Sequence, residues 1–380
     1  MVDKDAVSNN SFVARTFEIG VETYQQRLYT LLAHYDNYSA FSNEGWIPEG
    51  SNYTQDSVES LHDSIHVAAG GYFGHMAIIG YSAFEPFFWL HHMNLDRIAA
   101  MWQILHPTSF IMPTPAVYAT HTSKAGDIQD STTDLTPFRR NATSFWTSDE
   151  ARDHQIFGYT YKEVVDKNHD QTASWVNKLY TAYTPASMDT SKHIHSATSG
   201  NNRGDEDVRV SPQALHSGIT HKQVYRGQIY TDWFANVRAD KSAYECSYTV
   251  YLFWDEVPND AFAWPIATNL IGTHSILGMQ DPNAGNRSSR LISGTIPLTA
   301  AILRRISQGH IRSLHFEDAE TYMASRLKHA VALVNGTVVT SDQRHQVSIT
   351  VIASTIKASR KPSELSKHVH ETGRIAIVHS

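Results

Sequence analysis

Two stretches decide the fold: Leu61-His62-Asp63-Ser64-Ile65-His66 and, further on, Phe84-Glu85-Pro86-Phe87-Phe88-Trp89-Leu90-His91-His92-Met93-Asn94-Leu95-Asp96-Arg97. Histidines four apart lie one above the other on a helix face, an arrangement suited to sharing one metal ion. Asp56 with Glu59 three residues on reads as a capping box ahead of Val58, Leu61 and Ile65, and Gly70-Gly71 stops that helix. Pro86 opens the next helix, because a first-turn proline lacks only an N–H the helix does not use. Apolar spacing carries it to about Leu105.

Neighbouring side chains on a helix point in different directions, so only one of His91 and His92 can face the first pair. The choice falls on His92, because Asp96, four residues on, shares its face and could orient an imidazole through its second nitrogen.

Working outward, Val21, Tyr24, Leu28, Leu31 and Leu32 form a helical stripe within Phe17 to Tyr35. Residues 112–165 read as a loop-rich wrap, with Thr136-Pro137-Phe138 and Phe157-Gly158-Tyr159-Thr160-Tyr161. The stretch 166–207 is rich in Ser, Thr, Asn, Asp and Gly, with one amphipathic patch from Trp175 to Tyr183, and is the expected linker. Beyond it, β-prone runs at Gln223–Trp233, Ser247–Trp254, Leu291–Leu298, Ala330–Val334 and Gln346–Ile352 alternate with turns such as Asn335-Gly336. The expected class is α+β: a helical metal domain over 1–165, a linker over 166–207, an antiparallel β-sandwich over 208–357 and a solvated tail over 358–380.

A chain of 380 residues, 41% hydrophobic, can bury a sizeable core. With 31 Lys and Arg against 38 Asp and Glu and no basic block, nothing suits it to nucleic acid or an anionic membrane, so a small molecule is the expected partner. No run approaches the roughly 18 apolar residues of a membrane span, and Met1 to Asp5 show no apolar signal core, so a soluble, cytoplasmic protein is expected. Cys246 is the single cysteine, which leaves histidine and carboxylate as metal ligands.

The run from His62 to Trp102 resembles the second copper-binding half of tyrosinases, catechol oxidases and haemocyanins, including the Phe-x-Pro and HHxxxDR pattern. The resemblance implies His62, His66 and His92 as ligands, with His91 packing beside them. Asn37 to Glu44, Tyr159-Thr160-Tyr161, Tyr230-Thr231-Asp232-Trp233, Asn236-Val237-Arg238 and Gly294 to Thr299 extend it to the fungal tyrosinases and their C-terminal domain.

In that family a coupled dicopper site takes three more histidines from an upstream helix pair. Only His34 precedes His62, and His193 and His195 lie in the expected linker, so a mononuclear site is expected. Three neutral histidines with an open fourth position suit a zinc Lewis acid, while nitrogen ligands by affinity alone favour copper. A haemocyanin-like fungal chain with this half alone resembles the zinc cyclopenases of quinolone alkaloid biosynthesis, which contract cyclopenin to viridicatin with loss of methyl isocyanate. On that reading the enzyme is a metal-dependent lyase, with Asp63 moving protons. Glu85 reads first as a helix cap and His75 as a remote fourth-ligand candidate. The alternatives are a mononuclear copper oxidase acting on phenols and a non-catalytic metal-binding protein. A half-bundle also leaves an apolar face to be covered by residues 112–165 or by a second copy in a homodimer.

Overall fold

The computed structural model of the protein describes residues 7–46, 54–116, 119, 122–180, 221–226, 228–244, 246–278 and 290–377. Its helical part is built on α1 (Asn10–His34), α2 (Val58–Gly70), α3 (Pro86–Leu105) and α4 (His169–Tyr180). Leu28, Leu31 and Leu32 of α1, Leu61 of α2, Met101 of α3 and Val176 of α4 close on one core. Trp102 is fully buried there, stacked on Phe41 at 4.5 Å, and its indole N–H donates to the Tyr35 carbonyl at 2.7 Å. An aromatic of this size buries large apolar area only if its N–H finds a partner.

The capping of α2 differs from the expected box. Ser57 caps it, its hydroxyl accepting the Ser60 N–H at 3.0 Å, while Glu59 accepts the Glu44 N–H at 3.1 Å. Asp56 is drawn away by Arg27 of α1, which is 1% exposed and forks onto both carboxylate oxygens at 2.7 Å. A buried guanidinium needs a counter-charge and filled donors, and the Ser60 and Ser64 hydroxyls at 2.8 and 2.9 Å complete the set.

The expected linker is in part helix. Residues of α4 carry Val176 and Tyr180 into the helical core, and the Thr172 hydroxyl donates to the Glu163 carbonyl at 3.0 Å. The amphipathic patch at Trp175 outweighs the polar composition around it, and the helical part runs to residue 180. Residues 181–207, with His193 and His195, lie outside the described residues. The wrap carries two small antiparallel ladders, Thr114–Pro115 with Ile128–Gln129 and Asp134–Arg139 with Phe145–Thr147.

The second part contains β1 (Ile229–Asp240), β2 (Tyr248–Trp254), β3 (Leu270–Ile276), β4 (Leu291–Pro297), α5 (Thr299–Ser307), α6 (Phe316–Arg326), β5 (Leu327–Leu333), β6 (Val347–Lys357) and β7 (Lys367–Ile377). One sheet runs β7-β6-β1 and continues to a short strand at Tyr225–Arg226, with β4 also on β1; the other runs β5-β2-β3; every pairing is antiparallel. Trp233 and Val237 of β1, Val250 and Leu252 of β2, Val331 of β5 and Val351 of β6 share one core, which makes the expected sandwich. The expected solvated tail is corrected: β7 pairs along β6 from Lys357↔Lys367 to Ile349↔Ile377. It covers an edge that would otherwise leave β6 with open backbone groups.

The two parts meet through buried polar contacts. Gln26 of α1 donates to Asp232 at 2.8 Å, the Gln55 N–H to Asn236 at 3.2 Å, Arg238 to Gln55 at 2.8 Å, and the Ser366 N–H to the Tyr29 hydroxyl at 3.0 Å. At Gly294 of β4 an added Cβ would meet the His274 ring at 2.1 Å and the Ser60 hydroxyl at 2.5 Å, so the strand backbone runs directly against α2. No helix among the described residues is long and apolar enough to cross a membrane.

Candidate metal centre

The helices α2 and α3 bring four imidazoles together. His62 and His66 are one turn apart with ring centroids 4.4 Å from each other, and His91 and His92 both face them at 5.0 to 5.6 Å. Nδ1 of His62 lies 2.9 Å from Asp63 Oδ1, and Nδ1 of His66 lies 2.8 Å from the Met76 carbonyl. An Nδ1–H held by an acceptor leaves Nε2 as the lone-pair nitrogen, the usual way a protein orients a metal-binding imidazole.

The choice between the adjacent histidines turns on geometry. His62, His66 and His91 offer ligand nitrogens all within 4.8 Å of one another, whereas His92 Nε2 lies 3.3 Å from His66 Nε2. Two nitrogens bound at about 2.0–2.1 Å to a tetrahedral ion sit about 3.3–3.4 Å apart, which is the His66–His92 spacing. The His91 ring lies nearly parallel to that of His62, at 18°, whereas His92 meets His62 at 77°. The Nε2 of His91 is nevertheless buried without a protein partner. Together these features fit a metal ion held by imidazole, with His92 the better partner of His66.

The surroundings favour the neutral form of three of the four imidazoles, His66, His91 and His92. Burial first, then the charge of the neighbouring imidazoles, pushes His92 down to about 4 and His91 down to about 3. Burial also lowers His66, against the hydrogen bond to Met76. Neutral imidazole is the metal-binding form.

Asp63 stands behind His62, not on the open side. It is 2% exposed, and besides His62 its second oxygen accepts the Leu277 N–H at 3.0 Å and faces Lys241 Nζ at 3.3 Å. Burial works to raise its carboxyl, but the bond from His62 and the charge of Lys241 hold it below the usual range. Lys241 also pairs with Glu44, whose own carboxyl burial and the Asp63 charge push up to about 8. The geometry therefore makes Asp63 an anchor for His62.

Asp96 is exposed, and among the described residues it makes no hydrogen bond to the four imidazoles. Desolvation raises its carboxyl and His154 opposes that rise, because one turn beyond His92 the helix face has left the cluster for the wrap. The Glu85 side chain does not cap α3; it pairs with His75 Nδ1 at 2.7 Å. Arg97 ties α3 to the wrap through Glu163 at 2.7 Å and to α4 through the Tyr180 hydroxyl at 3.1 Å, while the Tyr161 hydroxyl donates to the Met93 carbonyl at 3.1 Å. The wrap thus fastens α3 yet leaves Phe84, Phe87, Trp89, Leu90 and Met93 exposed beside the imidazoles. Below them Phe17, Leu28, Leu61, Ile65 and His91 line a cavity of about 280 Å³.

A helix pair that gathers histidines, backed by an antiparallel sandwich, defines a histidine-type metal protein. Residues 3–105 match the common central domain of tyrosinase, and residues 232–351 match the tyrosinase C-terminal domain. The chain belongs to the tyrosinase-like family. It is 30% identical to the tyrosinase of Neurospora crassa over 386 residues, covering 80% of this chain and 56% of that protein. With the tyrosinase of Podospora anserina it shares 30% over 322 residues, covering 75% of this chain and 56% of the other. The chain thus spans little more than half the length of these relatives. In fold it is similar to a recombinant mushroom tyrosinase, with a TM-score of 0.72 at 20% identity, over 99% of this chain and 66% of that one.

Proposed function

We propose that the chain holds a copper ion through His62, His66 and His92 and acts as an oxidase on phenolic compounds. The carrying observation is that two helices gather the imidazoles, with His62 and His66 oriented through Nδ1 and with His66 and His92 at ligand spacing, and the likeness to tyrosinases in both parts of the chain supports copper over zinc. When bound by His62, His66 and His92, copper would supply one-electron redox and Lewis-acid chemistry. The protein's part is to fix His62 through Asp63 and His66 through Met76, and to favour the uncharged form of His66 and His92. Phe88, stacked on the His92 ring at 4.0 Å, fixes that ring from below. The exposed Phe87, Trp89, Leu90 and Met93 give an aromatic substrate an apolar surface beside the ion.

A second reading is a redox-silent zinc centre in a cyclopenase-type lyase. One observation favours it: among the described residues a single group of histidines meets metal-ligand spacing, whereas coupled dicopper chemistry uses two. The experiment is elemental analysis of the purified protein together with oxygen uptake on catechol. Bound copper with catechol-dependent oxygen consumption supports the oxidase. Zinc with anaerobic conversion of cyclopenin to viridicatin would replace it with the lyase, and metal binding without either turnover would leave a non-catalytic metal protein.

A further inference from the structure

We propose that Lys241, carried by the β-sandwich, is a positioning residue of the metal centre: it locks the Asp63 carboxylate that holds His62. The proposal rests on the metal-binding reading above but not on the reaction assigned to it.

Asp63 sits between two parts of the chain. Its Oδ1 faces the His62 imidazole on α2, while its Oδ2 is held from the sandwich by the Leu277 N–H at 3.0 Å and by Lys241 Nζ at 3.3 Å. Lys241 follows directly on β1, and its own N–H donates to the Arg290 carbonyl at 2.9 Å, so the ammonium projects from a fixed backbone. On the other side it pairs with Glu44, whose carbonyl accepts the Ser293 N–H of β4 at 2.9 Å. The ammonium thus lies between two carboxylates that are each almost fully shielded from water, at 2% and 3% side-chain exposure. Without it those carboxyl groups would face each other unscreened, and Asp63 would keep only the Leu277 N–H on the oxygen turned away from His62. Outer residues that orient a metal-bound histidine typically contribute 10–100-fold in affinity. The sandwich is therefore part of the centre and not only a cover for it.

The test is copper, zinc and cobalt affinity of the full chain by chelator competition, with the visible absorption of bound cobalt as a reading of ligand geometry. K241M is expected to weaken affinity about 10–100-fold and to shift the cobalt bands, and K241R to restore most of both. R238M, which breaks the Gln55 contact elsewhere in the same interface, is expected to lower the unfolding midpoint and leave affinity unchanged. If K241M does not fold, K241Q, close in length and polar at its tip, takes its place with the same expectation. Wild-type affinity in K241M or K241Q, or an equal loss in R238M, overturns the proposal. A protein that binds metal normally but oxidises no phenol would defeat the oxidase reading and leave this result standing.

Discussion

At the scale of single residues, the adjacent histidines are the sharpest point. His92 stands at ligand distance from His66, whereas His91 lies flat against His62. His92→Ala is expected to lose metal binding at any practical concentration. His91→Ala is expected to cost stability through its empty buried site and retain metal within about tenfold, as for an outer residue. Isothermal titration of both variants checks this, and the reverse order would move the ligand to His91. The histidines were legible because HxxxH and HH fall within single helices, where spacing fixes direction. Asp96 misled because it has the same spacing, and only the packing of the wrap decides which neighbour a side chain on that face meets. Lys241 was invisible, since its partner Asp63 is 178 residues away in sequence.

At the scale of elements, the join between α1 and α2 rests on one buried cation. Removing Arg27 takes the counter-ion from a carboxyl group that is 6% exposed, and breaking a buried pair in this way typically costs about 3–5 kcal/mol. Arg27→Met is expected to lose stability of that order in urea unfolding, and a loss below about 1 kcal/mol would show that water or a rearranged serine takes the place of the guanidinium. The strands at Tyr248–Trp254 and Leu291–Pro297 were readable from their β-branched and aromatic runs. β3 was not, because Leu270-Ile271-Gly272-Thr273-His274-Ser275-Ile276 mixes glycine and histidine into a strand. Its Gly272 has no room for a side chain, since an added Cβ would meet Ile296 at 2.7 Å. The cap of α2 was misplaced by one residue because Asp56 has a stronger partner than the helix end.

At the scale of the whole molecule, the two-part α+β plan was legible from the change of periodicity, but the joint between the parts was not. Asp232 illustrates the joint: Gln26 and the Trp233 N–H donate to it, Thr299 bonds it, and burial pushes its carboxyl up to about 7. A raised carboxyl means that the folded protein keeps a proton the unfolded chain releases near its ordinary value. The stabilisation is therefore full in acid and is lost as pH rises through about 7. Asp232→Asn, which keeps an acceptor oxygen, is expected to gain stability relative to the wild type at pH 8 and to lose that advantage below the ordinary carboxylate range. Parallel urea curves at the two pH values check the sign, and an equal difference at both would show that Asp232 does not titrate with folding.

The hydrogen bond from Ser366 to Tyr29, with His34 Nε2 3.0 Å from the same serine's hydroxyl, bears on the order of events during synthesis. α1 emerges from the ribosome more than 300 residues before the segment that secures it. At roughly 5–20 residues per second that interval is tens of seconds. The histidine helices lack the Lys241 side chain behind Asp63 until residue 241 is made, and this brace until residue 366 is made. The frame behind the imidazoles is consequently complete only once the sandwich has been made, and a nascent chain stalled within the first 200 residues would present its imidazoles without the contacts from Lys241 and Ser366.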